Sequence, residues 1–120
     1  MARVVACVCA LGFGIAAMAA VAAAQDLRAR GEKIFVDQKC GECHAIAGKG
    51  NVQGPLDDLG NRLTADNIRA WITDPKRMLS KTAATFRAHR KPEMKEYTLP
   101  KEDVDALVSY LSSLKKQLGR

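Results

Sequence analysis

The sequence predicts an all-α chain, and three observations predict it. Three stretches place apolar residues at the three-to-four-residue spacing of a single helical face. Glycine and proline gather between those stretches, and no run shows the strict alternation of a half-buried strand.

The first helix is expected from about Asp26 to Gln38, with Leu27, Gly31, Ile34 and Phe35 on one face. Asp26 suits the positive end of the helix dipole. Gly31 weakens a helix, so its place in the apolar stripe predicts close packing against another backbone. A loop follows, marked by Gly48, Gly50, Gly54 and Pro55 and running to about Leu63. Thr64 then caps a short helix, Ala65 to Thr73, with Ile68, Trp71 and Ile72 on one side. Pro75 ends it and pushes Asp74 out of helical geometry. Lys76 to Leu99 reads as a long, polar, irregular stretch, the kind of connection that is functional or mobile in small domains. The last helix begins near Pro100, which is tolerated in a first turn. Glu102, Asp103 and Asp105 lie near its positive end, and Lys115 and Lys116 near its negative end. Its apolar stripe is Val104, Leu107, Val108, Leu111, Leu114 and Leu118.

The N-terminus reads as an export signal covering residues 1–24. Arg3 supplies the positive start, Val4 to Ala24 is apolar apart from the thiols of Cys7 and Cys9, and Ala22-Ala23-Ala24 fits a small-residue cleavage site. The competing reading is an uncleaved anchor, because the run is just long enough to cross a bilayer. Its Ala-rich, weakly hydrophobic composition favours cleavage. Residues 25–120 then form one domain, too short to divide, with two cysteines and no pair to spare for a structural disulfide. So small a core needs a further staple. Without Arg3, 18 basic and 13 acidic residues remain, a formal +5. In an exported protein such a charge meets acidic proteins or anionic lipid rather than nucleic acid.

Cys40-Gly41-Glu42-Cys43-His44 supplies that staple. C-x-x-C-H is the attachment signature of c-type haem. Two thiols at this spacing each add across a vinyl group at the haem edge, and the adjacent His44 becomes an axial ligand of the iron. Cys40 and Cys43 are therefore the attachment residues, and one motif means one haem. The alternatives are a zinc site or a redox dithiol. Four zinc ligands would have to be Cys40, Cys43, His44 and His89, and adjacent Cys43 and His44 fit a tetrahedral site badly. A thioredoxin-like pair needs a βαβ setting that is absent from the pattern.

Electron-transfer haem takes a second protein ligand. Met94, in the stiff turn Lys91-Pro92-Glu93-Met94, is the preferred candidate. His89 stands among Arg87, Arg90 and Lys91 and reads as solvated. Met78 follows Pro75 so closely that a packing role fits it better.

Together these residues resemble the monohaem class I cytochromes c over nearly all of 25–120. The resemblance rests on Gly31, Phe35, Cys40-x-x-Cys43-His44, Gly54-Pro55-Leu56, Gly60-Asn61-Arg62, Trp71, Asp74-Pro75, Met94 and a terminal helix with Tyr110-Leu111. It implies the cytochrome c fold, three main helices and loops wrapped around one haem c joined through Cys40 and Cys43. It also implies that the Pro55 carbonyl orients the His44 ring, that Arg62 and Trp71 lie near a haem propionate, and that Gly31 and Phe35 cross the last helix near Tyr110. The stretch from Pro75 to Met94 departs from the family's compact members in being longer and more charged.

The expected function follows from the ligands. A haem with both axial positions filled exchanges single electrons rather than binding substrate, and a thioether ligand raises its potential. The chain is expected to be a monomeric, non-enzymatic electron carrier in the periplasm. Lys76, Arg77, Lys81, Arg87, Arg90, Lys91 and Lys95 would present a positive face to an acidic redox partner. Two alternatives stand beside it: a haem subunit of a larger membrane complex held by an uncleaved N-terminus, and a ligand-binding or peroxidase-like haem if Met94 does not ligate.

Overall fold

The computed structural model describes residues 5–84 and 93–116, with side chains from residue 17 onward. Helix α1 runs Val5–Asp37, α2 Leu59–Arg62, α3 Ala65–Thr73, α4 Pro75–Ser80 and α5 Lys101–Ser113. A 3-10 turn at Cys40–Glu42 and a two-residue hairpin, β1 Ala45–Ile46 with β2 Lys49–Gly50, fill the space between α1 and α2. The all-α expectation holds.

The core lies where α1, α3 and α5 meet. Ile34 and Phe35 from α1, Ile68 and Ile72 from α3, and Val104, Leu107, Val108 and Leu111 from α5 are all buried. Gly31 lets α1 and α5 approach closely. A Cβ there would overlap the Ala106 carbonyl and Tyr110 Cβ, so the two backbones touch because no side chain separates them. Phe35 then meets Tyr110 edge to face, with centroids 6.1 Å apart and planes at 64°. The expected crossing of Gly31 and Phe35 against the last helix is found.

Local chemistry sets the helix ends. Thr64 caps α3 by accepting a hydrogen bond from the Asn67 N–H. Asp74 closes α3, with its amide bonded to Ala70 O, and opens α4 by accepting from the Arg77 N–H. Pro75 therefore does more than stop a helix. It is the first residue of α4, where its missing N–H has no partner to lose. The irregular stretch expected from Lys76 thus begins with a further helical turn and a half.

Several other expectations shift. Helix α1 begins at Val5 rather than near Asp26, and Leu27 is 38% exposed instead of buried with Ile34. Trp71 is half-buried, while its neighbour Ile72 is fully packed. Helix α5 stops at Ser113, leaving Leu114 half-buried beyond its end, and Leu118 lies outside the described residues. The hairpin was not expected. Two-residue strands are too short to show alternation, and its turn carries Ala47 and Gly48, at φ 51° and 74°, instead of the usual Asn-Gly.

Candidate functional site

The segment from Cys40 to His44 hangs from the end of α1. Gln38 and Lys39 donate to Ile34 O and Val36 O, and Lys39 turns left-handed at φ 57° to halt the helix. The chain then tightens into the 3-10 turn, where the Cys43 and His44 amides both donate to Cys40 O. Cys40 is half-buried and Cys43 exposed; neither is in a disulfide. Two unbridged thiols side by side on one turn are what a doubly tethered cofactor requires.

Gly54 and Asn51 hold His44. Its Nδ1 donates to the Gly54 carbonyl at 3.1 Å, and the same oxygen accepts from the Ala45 amide. With the proton on Nδ1, Nε2 is the nitrogen presented to a metal. The resemblance placed this role on Pro55. In the structure it falls one residue earlier, and the Pro55 carbonyl lies 3.5 Å from an Arg62 guanidinium nitrogen instead. Gly54 can do this because it has no side chain: a Cβ would overlap Cys43 O and press on the His44 ring. Asn51 completes the clamp. Its amide donates to Gly41 O and His44 O, and its Nδ2 donates to Glu42 O. Nothing in the pattern marked Asn51, because its work is done by backbone groups that only the fold brings together.

The remaining candidates come from three directions. Met94 is half-buried in the irregular 93–100 segment before α5, and Met78 is half-buried in α4. Trp71 comes from α3, and Arg62 stands exposed at the end of α2. His89 lies outside the described residues, as do Arg87, Arg90 and Lys91.

What returns the 93–100 segment to the attachment turn is Tyr97. Its ring packs against the same core that Cys40 packs against, and Lys95 Nζ sits 5.0 Å from the ring centroid. Burial raises the Tyr97 pKa to about 12, and negative charge at Cys40 adds to the shift. Burial likewise pushes the Cys40 thiol up, against the opposing influence of the nearby Tyr97 hydroxyl and Lys95 charge. Both groups are thus protonated at neutral pH. An aromatic three residues after Met94 in an otherwise polar stretch was the one available signal for this contact.

A family model described as Cytochrome c matches residues 28–115, spanning α1, the attachment turn and α5. The chain belongs to the cytochrome c family. Family chemistry is haem-based electron transfer, and the family's covalent haem c suits this donor set: paired thiols, an imidazole with its tautomer set, and a half-buried thioether on a neighbouring segment. Among curated proteins, the cytochrome is similar to the cytochrome c oxidase subunit 2 of Alkalihalophilus pseudofirmus. The two are 33% identical over 100 residues, covering 76% of this chain and 27% of that protein. The chain therefore spans about a quarter of that relative's length. No solved structure matches the cytochrome. Among the described residues no helix is long and apolar enough to cross a membrane.

Proposed function

We propose that this cytochrome is a single-electron carrier whose one haem c is attached through Cys40 and Cys43 and ligated by His44 and Met94. The observation that carries the reading is the packing of Tyr97, three residues after Met94, against the same core that Cys40 packs against. Bound haem supplies an iron that changes oxidation state by one electron. The chain's own residues do the rest. Gly54 and Asn51 hold the His44 ring and its loop in one orientation. Cys40, half-buried against the core, keeps water from one edge of the site. With His44 and Met94 both holding the iron, no protein-free position would remain for oxygen or peroxide, which is why the protein is read as a carrier and not an enzyme.

Optical spectra of the loaded protein test the ligand set. A low-spin c-type spectrum with the weak methionine–iron(III) charge-transfer band, lost in Met94→Ala, is the expected result. A high-spin parent, or a band that survives the substitution, would overturn it in favour of His89, Met78 or an open site.

Export to the periplasm after removal of residues 1–24 completes the reading, with residues 25–120 as the functional domain. The partner would be an acidic redox protein. Lys76, Arg77, Lys81 and Lys95 are all exposed and stand on α4, at its C-terminal cap and on the Met94 segment. Electron exchange with such a partner slows about tenfold as salt rises through the physiological range; a rate indifferent to salt would refute docking by charge. A second reading is favoured by one observation, the similarity to part of an oxidase subunit. On that reading the cytochrome is a fixed haem subunit held at a membrane by an uncut N-terminus. The mass of the isolated protein decides: retention of residues 1–24 supports the fixed subunit, and their loss supports the diffusible carrier.

A further inference from the structure

The Gly54 carbonyl that holds the His44 ring lies at the end of a tight turn, and Asn51 builds that turn. The Asn51 carbonyl accepts from the Gly54 amide at 3.1 Å, and its Oδ1 accepts from the Gln53 amide at 3.1 Å. An asparagine bonded to the amide two residues on is a local device that fixes the path of the backbone after it. The other side of Asn51 meets the attachment turn. Its amide is shared between Gly41 O at 3.0 Å and His44 O at 3.1 Å, and its Nδ2 donates to Glu42 O at 3.3 Å. Gly50, at φ 102°, makes room for this approach, since a Cβ there would overlap His44 O and crowd Gly41 O. One side chain thus bridges the turn that leads into His44 and the turn that ends in its hydrogen-bond acceptor.

We infer that Asn51 is a positioning residue for His44, and that through His44 its side chain lowers the reduction potential of the haem. The inference rests on the reading of His44 as an axial ligand and is independent of Met94. A carbonyl that accepts from Nδ1–H makes the imidazole a stronger donor through its other nitrogen. A stronger donor favours the oxidised iron, so the 3.1 Å bond from His44 to Gly54 O holds the potential down. Two sets of contacts place that carbonyl. On one side, the Ala45 amide donates to Gly54 O and the Leu56 amide donates to Ala45 O. On the other stands the Asn51 turn, whose two side-chain bonds are the part a single substitution can remove.

The test compares the haem-loaded parent with Asn51→Ala, which removes both side-chain bonds and keeps the backbone ones, and with Asn51→Ser. Serine retains an oxygen that can accept from the Gln53 amide but is too short to reach Glu42 O. In Asn51→Ala the ratio of reduced to oxidised iron at a fixed potential should rise roughly threefold, the effect of losing one weak hydrogen bond. At 59 mV per tenfold for a one-electron couple, that is a midpoint about 30 mV higher. The His44 Nδ1 proton, followed by NMR in the reduced protein, should exchange with water faster by a similar factor. Asn51→Ser should fall between parent and Asn51→Ala. A lower melting temperature in Asn51→Ala with midpoint and proton exchange unchanged would show a merely structural role and overturn the inference, leaving His44 as ligand. Should Asn51→Ala fail to load, Asn51→Ser decides alone: a raised midpoint supports the inference and the parent's value overturns it. A parent that takes up no covalent haem would overturn the His44 reading, and this inference would fall with it.

Discussion

At the scale of single residues, the attachment turn is organised by positions that accept unusual backbone geometry. Lys39 and Ala47 both sit at positive φ, one ending α1 and the other turning the hairpin. A left-handed conformation costs an L-residue about 1–2 kcal/mol, with asparagine among the exceptions. Ala47 has partial compensation, since Asp57 Oδ1 accepts from its amide at 2.6 Å. Ala47→Asn keeps that amide and suits the backbone better. It should raise stability by about 0.5–1 kcal/mol, read as a higher denaturation midpoint with an unchanged haem spectrum. Gly54 shows the opposite constraint, for it must lack a side chain so that its carbonyl can reach the His44 ring.

Among elements, α1 and α3 each meet α5 through packed side chains and an ion pair. Gly31 lets α1 seat against Ala106, and Arg30 on α1 pairs with Asp103 on α5 at 2.5 Å. Asp105 on α5 receives both Lys101, one turn before it, and Arg69 from α3. Hydrogen bonds from Lys101 and then Arg69 hold its carboxyl below the usual carboxylate range. A carboxylate with a depressed folded pKa stabilises fully above its unfolded value, about 3.9, and loses that contribution as pH falls through the folded value. Asp105→Asn should therefore melt at a lower temperature than the parent at pH 7. The gap should close as the pH drops below 4, where the parent carboxyl takes up its proton. Thermal melts of both proteins from pH 7 to pH 2.5 check this, and a gap independent of pH would refute it. Helix α4 teaches a related lesson, because Asp74 and Pro75 end one helix and start the next with the same two residues.

Taken whole, the molecule is short of buried apolar surface. The core is drawn from α1, α3 and α5 with Leu59 from α2, and several of the larger side chains, Trp71, Met78, Leu79 and Met94 among them, are only half-buried. A flat apolar cofactor tethered at Cys40 and Cys43 would add the missing contacts, as small domains commonly require. Blocking attachment with Cys40→Ser and Cys43→Ser should give a chain with reduced far-ultraviolet ellipticity and a broad, weakly cooperative melt. A double variant that melts as sharply as the parent would show that the polypeptide core suffices alone.

What the sequence determined by itself is what local chemistry determines. The three main helices, the cap at Thr64, the close approach at Gly31 and the haem-attachment motif were all legible, since each depends on side-chain spacing within a few residues or one turn. The hairpin, the switch of the His44 partner from Pro55 to Gly54, the clamp by Asn51 and the packing of Tyr97 against the core that Cys40 shares were decided only by the tertiary structure. Each joins residues across a loop, or from opposite ends of the domain, through backbone groups or a single ring. Such contacts depend on how the chain closes on itself, and no periodicity records them.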